Sequence, residues 1–209
     1  MTEFEPTAAP TGADGRALKK RGAATRRRLL EAAEQVFAEL GYHDASIVRI
    51  TEAAGVAQGT FYLYFASKKE VFDELVRDLN ARVRHAMAEA AARGTTRLES
   101  EVLGFQAFFR FTAEHTALYR IIRQAEFVSP EMLRYHYDRI AEGYVAALAQ
   151  AMERGEVEPV DPEVLAYALM GIGEHVGMRW ILWHGRGELP DHVGVAVESL
   201  IARLLGGRG

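Results

Sequence analysis

The chain has 209 residues, of which 49% are hydrophobic and 26% are charged, and its formal net charge is -4. This length suffices for one sizeable hydrophobic core and a small appended domain. The absence of cysteine excludes disulfides, thiolate metal sites and cysteine nucleophiles, and it fits a reducing compartment.

The charge is distributed unevenly along the chain. Residues 16–69 carry ten basic and five acidic side chains, including all four lysines, whereas the remainder is acidic. A basic end on an acidic body indicates that only this end meets a polyanion. A solvated basic surface is the alternative interpretation.

The N-terminal segment has prolines and glycines but no apolar block, which predicts neither a signal peptide nor an anchor. We expect residues 1–21 to form a flexible arm that ends in the basic run Lys19–Arg21. The longest apolar stretch, residues 167–183, is interrupted by Glu174, His175 and Arg179. These charges argue against a membrane span and predict a cytoplasmic protein.

Helical periodicity begins in RRRLLEAAEQVFAELGY, residues 26–42, where Gly41 is a natural stop. Ser46 can cap a short helix that ends at Gly55, and a second short helix spans residues 57–64. Ser67 can then cap a long helix over residues 68–93. A short helix, a glycine turn and a second short helix with outward polar side chains predict a helix-turn-helix.

The stretch TEAAGVAQGTFYLYFASKKE, residues 51–70, resembles the DNA-binding domain of the TetR family of bacterial transcriptional repressors. The family pattern is matched in order by Gly55, Val56, Gly59, Tyr62, Phe65, Ser67 and Lys68. The resemblance implies an all-α fold with an N-terminal three-helix DNA-binding domain, residues 22–67. A larger helical domain for effector binding and dimerisation, residues 68–209, follows it.

Each residue of the predicted DNA surface has an expected role. Gln58 and Thr60 can hydrogen-bond base edges, and Ala57 can contact a thymine methyl group. Phe61 and Phe65 are expected in the core. The phosphate contacts are assigned to Tyr62, Tyr64 and Lys68, and Arg49 is expected to reach the backbone or a base. A solvent-exposed role without DNA contact is the alternative for Gln58 and Thr60.

A few base contacts per half-site give limited selectivity, so we expect a homodimer on a palindromic double-stranded operator. In the family the last two long helices form the dimer interface, and here they follow Pro162 and Pro190. The apolar stripe Val193, Val197, Leu200 and Leu204 is assigned to it, with core packing as the alternative. Gly171, Gly173 and Gly177 each cost helix propensity of about 1 kcal/mol, which close approach between helices would offset.

The aromatic body between these parts is expected to hold a small hydrophobic effector, as the family usually does, although such a stripe also suits a plain core. The expected effector-binding residues are Phe105, Phe109, Arg120, Arg123, Tyr137, Tyr144, His175 and Trp180. The body loosely resembles family members that sense fatty acyl thioesters, so an acyl-CoA or a fatty acid is one candidate class.

Other functions are disfavoured by the motifs that are missing from the sequence. It contains no G-x-S-x-G, no H-E-x-x-H and no phosphate loop, and its seven histidines lack ligand spacing. We therefore expect no enzymatic activity, no metal and no cofactor. The rival hypothesis is a constitutive or architectural DNA-binding protein with a fully packed body and no effector. Activation instead of repression also stays open.

Overall fold

The computed structural model describes residues 10–185 and 187–206, and in these ranges the chain is almost entirely helical. The only β pairing there is an isolated bridge between Thr11 and Ala17. The helices are α1 Lys20–Asp44, α2 Ile47–Ala53, α3 Gln58–Phe61, α4 Lys68–Ala91, α5 Arg97–Glu114, α6 Ala117–Val128, α7 Pro130–Glu153, α8 Pro162–Gly177 and α9 Asp191–Leu204, with a π-helical segment Met178–Leu182 after α8. The predicted all-α class is confirmed.

The chain forms two compact units. The first unit comprises Met1–Asp78 and Arg120–Arg134, and the second comprises Leu79–Tyr119 and Tyr135–Gly209. The start of α4 and part of α6 belong to the first unit. Three helices, α4, α6 and α7, contribute residues to both units.

The core of the first unit is aromatic. Phe61 and Phe65 are fully buried, as the sequence predicts for the anchors of α3. Phe37 of α1 and Phe72 of α4 are fully buried too, and their rings meet edge to face at 5.4 Å between centroids. This packing fixes α1, α3 and α4 in one body, since aromatic side chains bury large areas in few rotamers.

The described part of the predicted arm forms a turn. The Gly12 amide donates to the Arg16 carbonyl at 2.9 Å, and the Ala13 amide donates to the Leu63 carbonyl at 3.0 Å. Residues 1–9 of the arm lie outside the described residues. The second hydrogen bond ties the segment before α1 to the chain that follows α3.

The second unit is organised around α5, which packs against α8, α9 and the π-helical segment. Its core contains Phe105 and Phe109 of α5, Leu169 of α8, Ile181 and Ile201. None of the helices in the described ranges is both long and apolar enough to cross a membrane.

The glycines of α8 have two different surroundings. A Cβ atom at Gly177 would overlap the Tyr119 hydroxyl, and a Cβ at Gly173 would lie 3.4 Å from Phe108. A Cβ at Gly171 would meet open space. Close approach therefore occurs within one chain at Gly173 and Gly177, and only Gly171 stays available for an approach from outside.

Candidate nucleic-acid interface

The turn between α2 and α3 has the predicted local structure. Ser46 caps α2 by accepting a hydrogen bond from the Arg49 amide at 3.2 Å. Gly55 adopts φ 64°, a left-handed conformation that is strained for other residues. The predicted cap and glycine turn are confirmed, and they orient α3 after α2.

Helix α3 presents one face outward while Phe61 anchors the other. Ala57, Gln58 and Gly59 are exposed, and Thr60 is partly buried. Tyr62, which follows the helix, is half exposed. The helical segment is one turn, shorter than predicted, because the chain leaves α-helical geometry after Phe61. The structure thus leaves Ala57 and Gln58 accessible, and Thr60 accessible in part.

Gly59 has no packing role within the described chain. A Cβ there would meet no atom within 4 Å, and its φ angle is not positive. Glycine costs a helix about 1 kcal/mol relative to alanine, so an internal structural reason is missing. Glycine is explained if another molecule approaches this surface closely, because a residue without a side chain leaves room for that molecule.

The two tyrosines differ in exposure. Tyr62 exposes half of its surface, which leaves its hydroxyl accessible to an external partner. Tyr64 is partly buried, and a Cβ at Gly22 would lie 3.7 Å from its hydroxyl. Tyr64 therefore also packs near the start of α1.

The ammonium group of Lys68 contacts the main chain that follows Gly41. Gly41 has φ 75° and interrupts α1 as the sequence predicts. Lys68 Nζ donates to the carbonyls of Tyr42 at 2.6 Å and Ala45 at 2.7 Å, and it lies 4.4 Å from the centre of the Tyr42 ring. The structure gives Lys68 an internal role that sequence reasoning missed, and its phosphate contact stays a prediction.

Several other cations of the basic segment are also paired internally. Lys69 Nζ contacts Asp73 at 2.7 Å and Glu131 at 2.8 Å. Arg26 pairs with Glu74, and Arg27 pairs with Glu31 and Asp78. The exposed cations near the helix-turn-helix include Lys19, Lys20, Arg21 and Arg49. These exposed side chains are better placed than the paired ones to meet a polyanion.

The second unit assembles part of the predicted effector set. Phe105 and Phe109 are buried in its core, and Tyr144 and Trp180 pack against the same cluster. Burial raises the pKa of the Tyr144 hydroxyl to about 12, with nearby Arg97 acting in the opposite direction. These four side chains form one apolar cluster with polar atoms on Tyr144 and Trp180.

Tyr137 of α7 approaches a carboxylate of α8 in the same unit. Its hydroxyl donates to Glu174 Oε2 at 2.8 Å. The sequence singles out both residues, but nothing in it indicates that they form a pair, because they lie 37 positions apart.

Three of the predicted effector residues lie elsewhere. Arg120 and Arg123 belong to the first unit, where Arg120 Nη1 donates to the Ala38 carbonyl at 2.8 Å. His175 is exposed on α8, and its Nδ1 contacts the Gly171 carbonyl at 3.1 Å. Within the second unit, His175 lies on the exposed side of α8 and is not part of the aromatic cluster.

The outward face of α8 and α9 is unusually apolar. The exposed apolar side chains there include Val164, Tyr167, Val195, Leu200 and Leu204. Val193 and Val197, which were assigned to the same interface stripe, are instead buried within the chain. The predicted stripe of α9 therefore divides into an internal part and an exposed part.

In the described residues no group of three or more His, Asp or Glu side chains could hold a metal ion.

Known proteins of similar sequence and structure supply a further comparison. The family model for bacterial regulatory proteins, tetR family, matches residues 29–75. The HTH-type transcriptional regulator YdgC of Bacillus subtilis is 31% identical over 79% of this chain and 85% of its own length. The HTH-type transcriptional repressor KstR2 of Mycobacterium tuberculosis is 32% identical over 74% of this chain and 80% of its own length.

The crystal structure of FadR from Bacillus subtilis in complex with stearoyl-CoA aligns with a TM-score of 0.75 at 22% identity. It covers 88% of this chain and 99% of that chain, which shows a shared fold. Together with the helix-turn-helix geometry and the YdgC match, this similarity establishes that the chain belongs to the TetR family of DNA-binding transcriptional regulators.

Proposed function

We propose that the protein is a transcriptional repressor that binds a palindromic operator as a homodimer and releases it when a small hydrophobic effector binds. The observation that carries this proposal is the exposed polar face of α3, held in place by the fully buried Phe61 and Phe65. Rigid support of the contact residues is what specific recognition requires.

Base readout is assigned to the exposed Gln58 and the partly buried Thr60, and Ala57 is exposed beside them. An amide side chain can make two hydrogen bonds to adenine, and a methyl group can contact thymine. The absent side chain at Gly59 lets the DNA approach this surface closely. These contacts distinguish sequences, in contrast to contacts with phosphate.

Phosphate contacts are assigned to the half-exposed Tyr62 and to the exposed Arg49, with Tyr64 as a further candidate. The exposed Lys19, Lys20 and Arg21 add positive charge near the same surface. Such contacts fix the register on the duplex and make the affinity depend on salt. A phosphate role for Lys68 would compete with its hydrogen bonds to the Tyr42 and Ala45 carbonyls.

Dimerisation is assigned to α8 and α9. Val164, Tyr167 and Gly171 recur at three- or four-residue spacing, which places them on one face of α8, while Leu200 and Leu204 are exposed on α9. Exposed apolar patches of this kind mark interfaces. A second copy of the chain suits them, because a two-fold axis repeats one patch on both partners and a palindrome requires the same symmetry.

The effector is assigned to the second unit, beside Phe105, Phe109, Tyr144 and Trp180. An apolar site with a few polar groups is typical for small molecules. FadR of Bacillus subtilis, which shares the fold, is described in complex with stearoyl-CoA, and this supports an acyl compound as the class to test first. Because α4 continues from the first unit into the second, a shift of α4 can link ligand binding to the helix-turn-helix.

Two single substitutions test the DNA contacts. Gln58→Ala is expected to relax the preference at particular base pairs, by about 1–3 kcal/mol for a bidentate contact. Tyr62→Phe is expected to weaken binding to all sequences about equally, because a phosphate contact carries no sequence information. Binding is measured on an operator selected from genomic DNA and on its single-base variants.

The control for both variants is Glu142→Gln, an exposed change in the second unit. It should alter neither affinity nor base preference. If Gln58→Ala weakened binding to all sequences equally and Tyr62→Phe changed the base preference, the two roles would be wrongly assigned.

Operator binding that no acyl compound releases would favour the constitutive DNA-binding protein over the ligand-released repressor.

A further inference from the structure

The segment that precedes α1 has a defined structure, although the sequence predicts a flexible arm there. The Gly12 amide donates to the Arg16 carbonyl at 2.9 Å, and the Gly15 amide donates to the Gly12 carbonyl at 2.9 Å. Gly15 has φ 75°. A tight turn followed by a glycine in the left-handed conformation is typical of a three-residue hairpin loop. Residues 10–18 therefore form a folded element, which we call the N-terminal turn.

The N-terminal turn is attached to the rest of the first unit on two sides. The Ala13 amide donates to the Leu63 carbonyl at 3.0 Å, and a Cβ atom at Gly12 would lie 3.1 Å from the same oxygen. The Leu18 side chain lies between the turn and α1, because Cβ atoms at Gly12 and Gly22 would lie 3.5 Å and 3.4 Å from its Cδ2 atom. These contacts fix the turn both to the chain that follows α3 and to the start of α1.

The attachment point lies on the proposed DNA surface. Leu63 is 64% exposed, and the preceding Tyr62, to which a phosphate contact is assigned above, is half exposed. Consecutive Cα atoms of a chain are only about 3.8 Å apart. A DNA duplex that meets Tyr62 therefore passes close to the N-terminal turn.

The turn and the start of α1 carry an excess of positive charge. The Arg16 side chain is 88% exposed, and Lys19, Lys20 and Arg21 are exposed after it, whereas Asp14 is the only acid in this segment. The first turn of α1 contains no acidic residue. Because the helix dipole disfavours cations at this end, contacts within the helix do not explain them. A polyanion beside the segment does.

Asp14 and Arg16 form an exposed pair within the turn. Asp14 Oδ1 accepts a hydrogen bond from the Arg16 amide at 3.1 Å, and Asp14 Oδ2 lies 3.6 Å from Arg16 Nε. Exposed ion pairs contribute little to stability. The guanidinium group can therefore exchange this carboxylate for a phosphate without a large cost.

We propose that the N-terminal turn is a second DNA-contacting element, in which Arg16 binds a backbone phosphate beside the half-site that α3 reads. This inference rests on the proposed function and adds a contact outside the helix-turn-helix. The hydrogen bond from Ala13 to Leu63 positions the turn, and Arg16 makes the contact. Since phosphate contacts carry no sequence information, the turn adds affinity and salt dependence but no base preference.

Arg16→Gln tests the contact with the full-length protein and the operator selected from genomic DNA. Each phosphate contact contributes about 0.9 to the slope of log affinity against log salt concentration. We expect the slope of the dimer to fall by about 2 and the affinity to fall about three- to tenfold, with an unchanged base preference. Arg110→Gln, the same substitution at an exposed position of α5, should change none of these quantities.

Ala13→Pro tests the positioning. Proline suits the first central position of a tight turn, but it has no N–H group to donate to the Leu63 carbonyl. It should lower the salt slope and the affinity as Arg16→Gln does, although no charge is removed, and the two changes should not add when combined. The melting temperature should stay the same, because Ala13 is exposed and lies outside the core.

Asp14→Asn keeps a side-chain oxygen for the Arg16 amide but removes the negative charge. It should strengthen operator binding about two- to threefold at low salt, because it releases Arg16 and removes a repulsion of phosphate.

An unchanged salt slope in Arg16→Gln, a changed base preference in that variant, or full affinity in Ala13→Pro would each overturn the inference. If the operator is bound and all three variants behave like Arg110→Gln, the regulator stands and the second contact fails. If the unmodified protein binds no operator, the proposed function fails, and this inference fails with it.

Discussion

Lowering the pH from 7 to 5 is expected to reduce the free energy of unfolding by about 2 kcal/mol through one buried histidine. His136 is 7% exposed, and burial lowers its pKa to about 4, with Arg84 contributing in the same direction. Its Nδ1 lies 3.1 Å from Asn80 Nδ2, so the neutral ring accepts a hydrogen bond there. Protonation would remove this acceptor.

The direction follows from proton binding in the two states. Between pH 6.5 and pH 4 the unfolded histidine is protonated more than the folded one, so stability rises with pH in this window and is lost as the pH falls. Chemical denaturation at a series of pH values measures the free energy of unfolding as a function of pH. His136→Gln should flatten the dependence between pH 7 and 5, and the exposed His85→Gln should not. If the free energy of unfolding of His136→Gln kept the same slope against pH, other groups would cause the pH dependence.

Replacing Lys68 with methionine is expected to lower the free energy of unfolding by about 2–3 kcal/mol, the usual cost of losing charge-assisted hydrogen bonds to partly buried acceptors. The ammonium group satisfies the Tyr42 and Ala45 carbonyls after the break of α1 at Gly41. Tyr42 lies in the last turn of α1 and Ala45 is its C-cap, where the regular helical hydrogen bonds end. Methionine retains the apolar stem but cannot donate.

The adjacent Lys69 is the matched control. Its partners Asp73 and Glu131 form ion pairs in which the Lys69 side chain is 45% exposed, and such pairs contribute about 0–1 kcal/mol. Chemical denaturation of Lys68→Met and Lys69→Met in the absence of DNA compares the loss in free energy of unfolding that each substitution causes. If Lys68→Met kept full stability and only reduced the salt dependence of operator binding, the phosphate role would replace the structural one.

The local signals of the DNA-binding region could be predicted from the sequence because they depend on neighbouring residues. The cap at Ser46, the breaks at Gly41 and Gly55, and the burial of Phe61 and Phe65 all follow from spacing and backbone preference. The same reasoning placed Gln58 on the outward side of α3. Short-range rules are sufficient where each residue's role is fixed within a few positions.

Long-range pairings could not be predicted in the same way. The partners of Lys68 lie 23 and 26 positions away, and Tyr137 and Glu174 lie 37 positions apart. Arg120 lies within the aromatic stretch of the sequence, but its Nη1 donates to the Ala38 carbonyl of α1. Periodicity identifies a helix face, but it does not say which helix covers that face.

The central claim is that a homodimer reads a palindrome through α3. The footprint of the protein on its own operator is the most direct test of this claim. We expect protection with two-fold symmetry, half-site centres one or more helical turns of about 34–36 Å apart, and two chains for each symmetric site. The mass of the complex, measured together with the footprint, gives the number of chains. Protection of a single asymmetric site by one chain, or no preference for any sequence, would contradict the account.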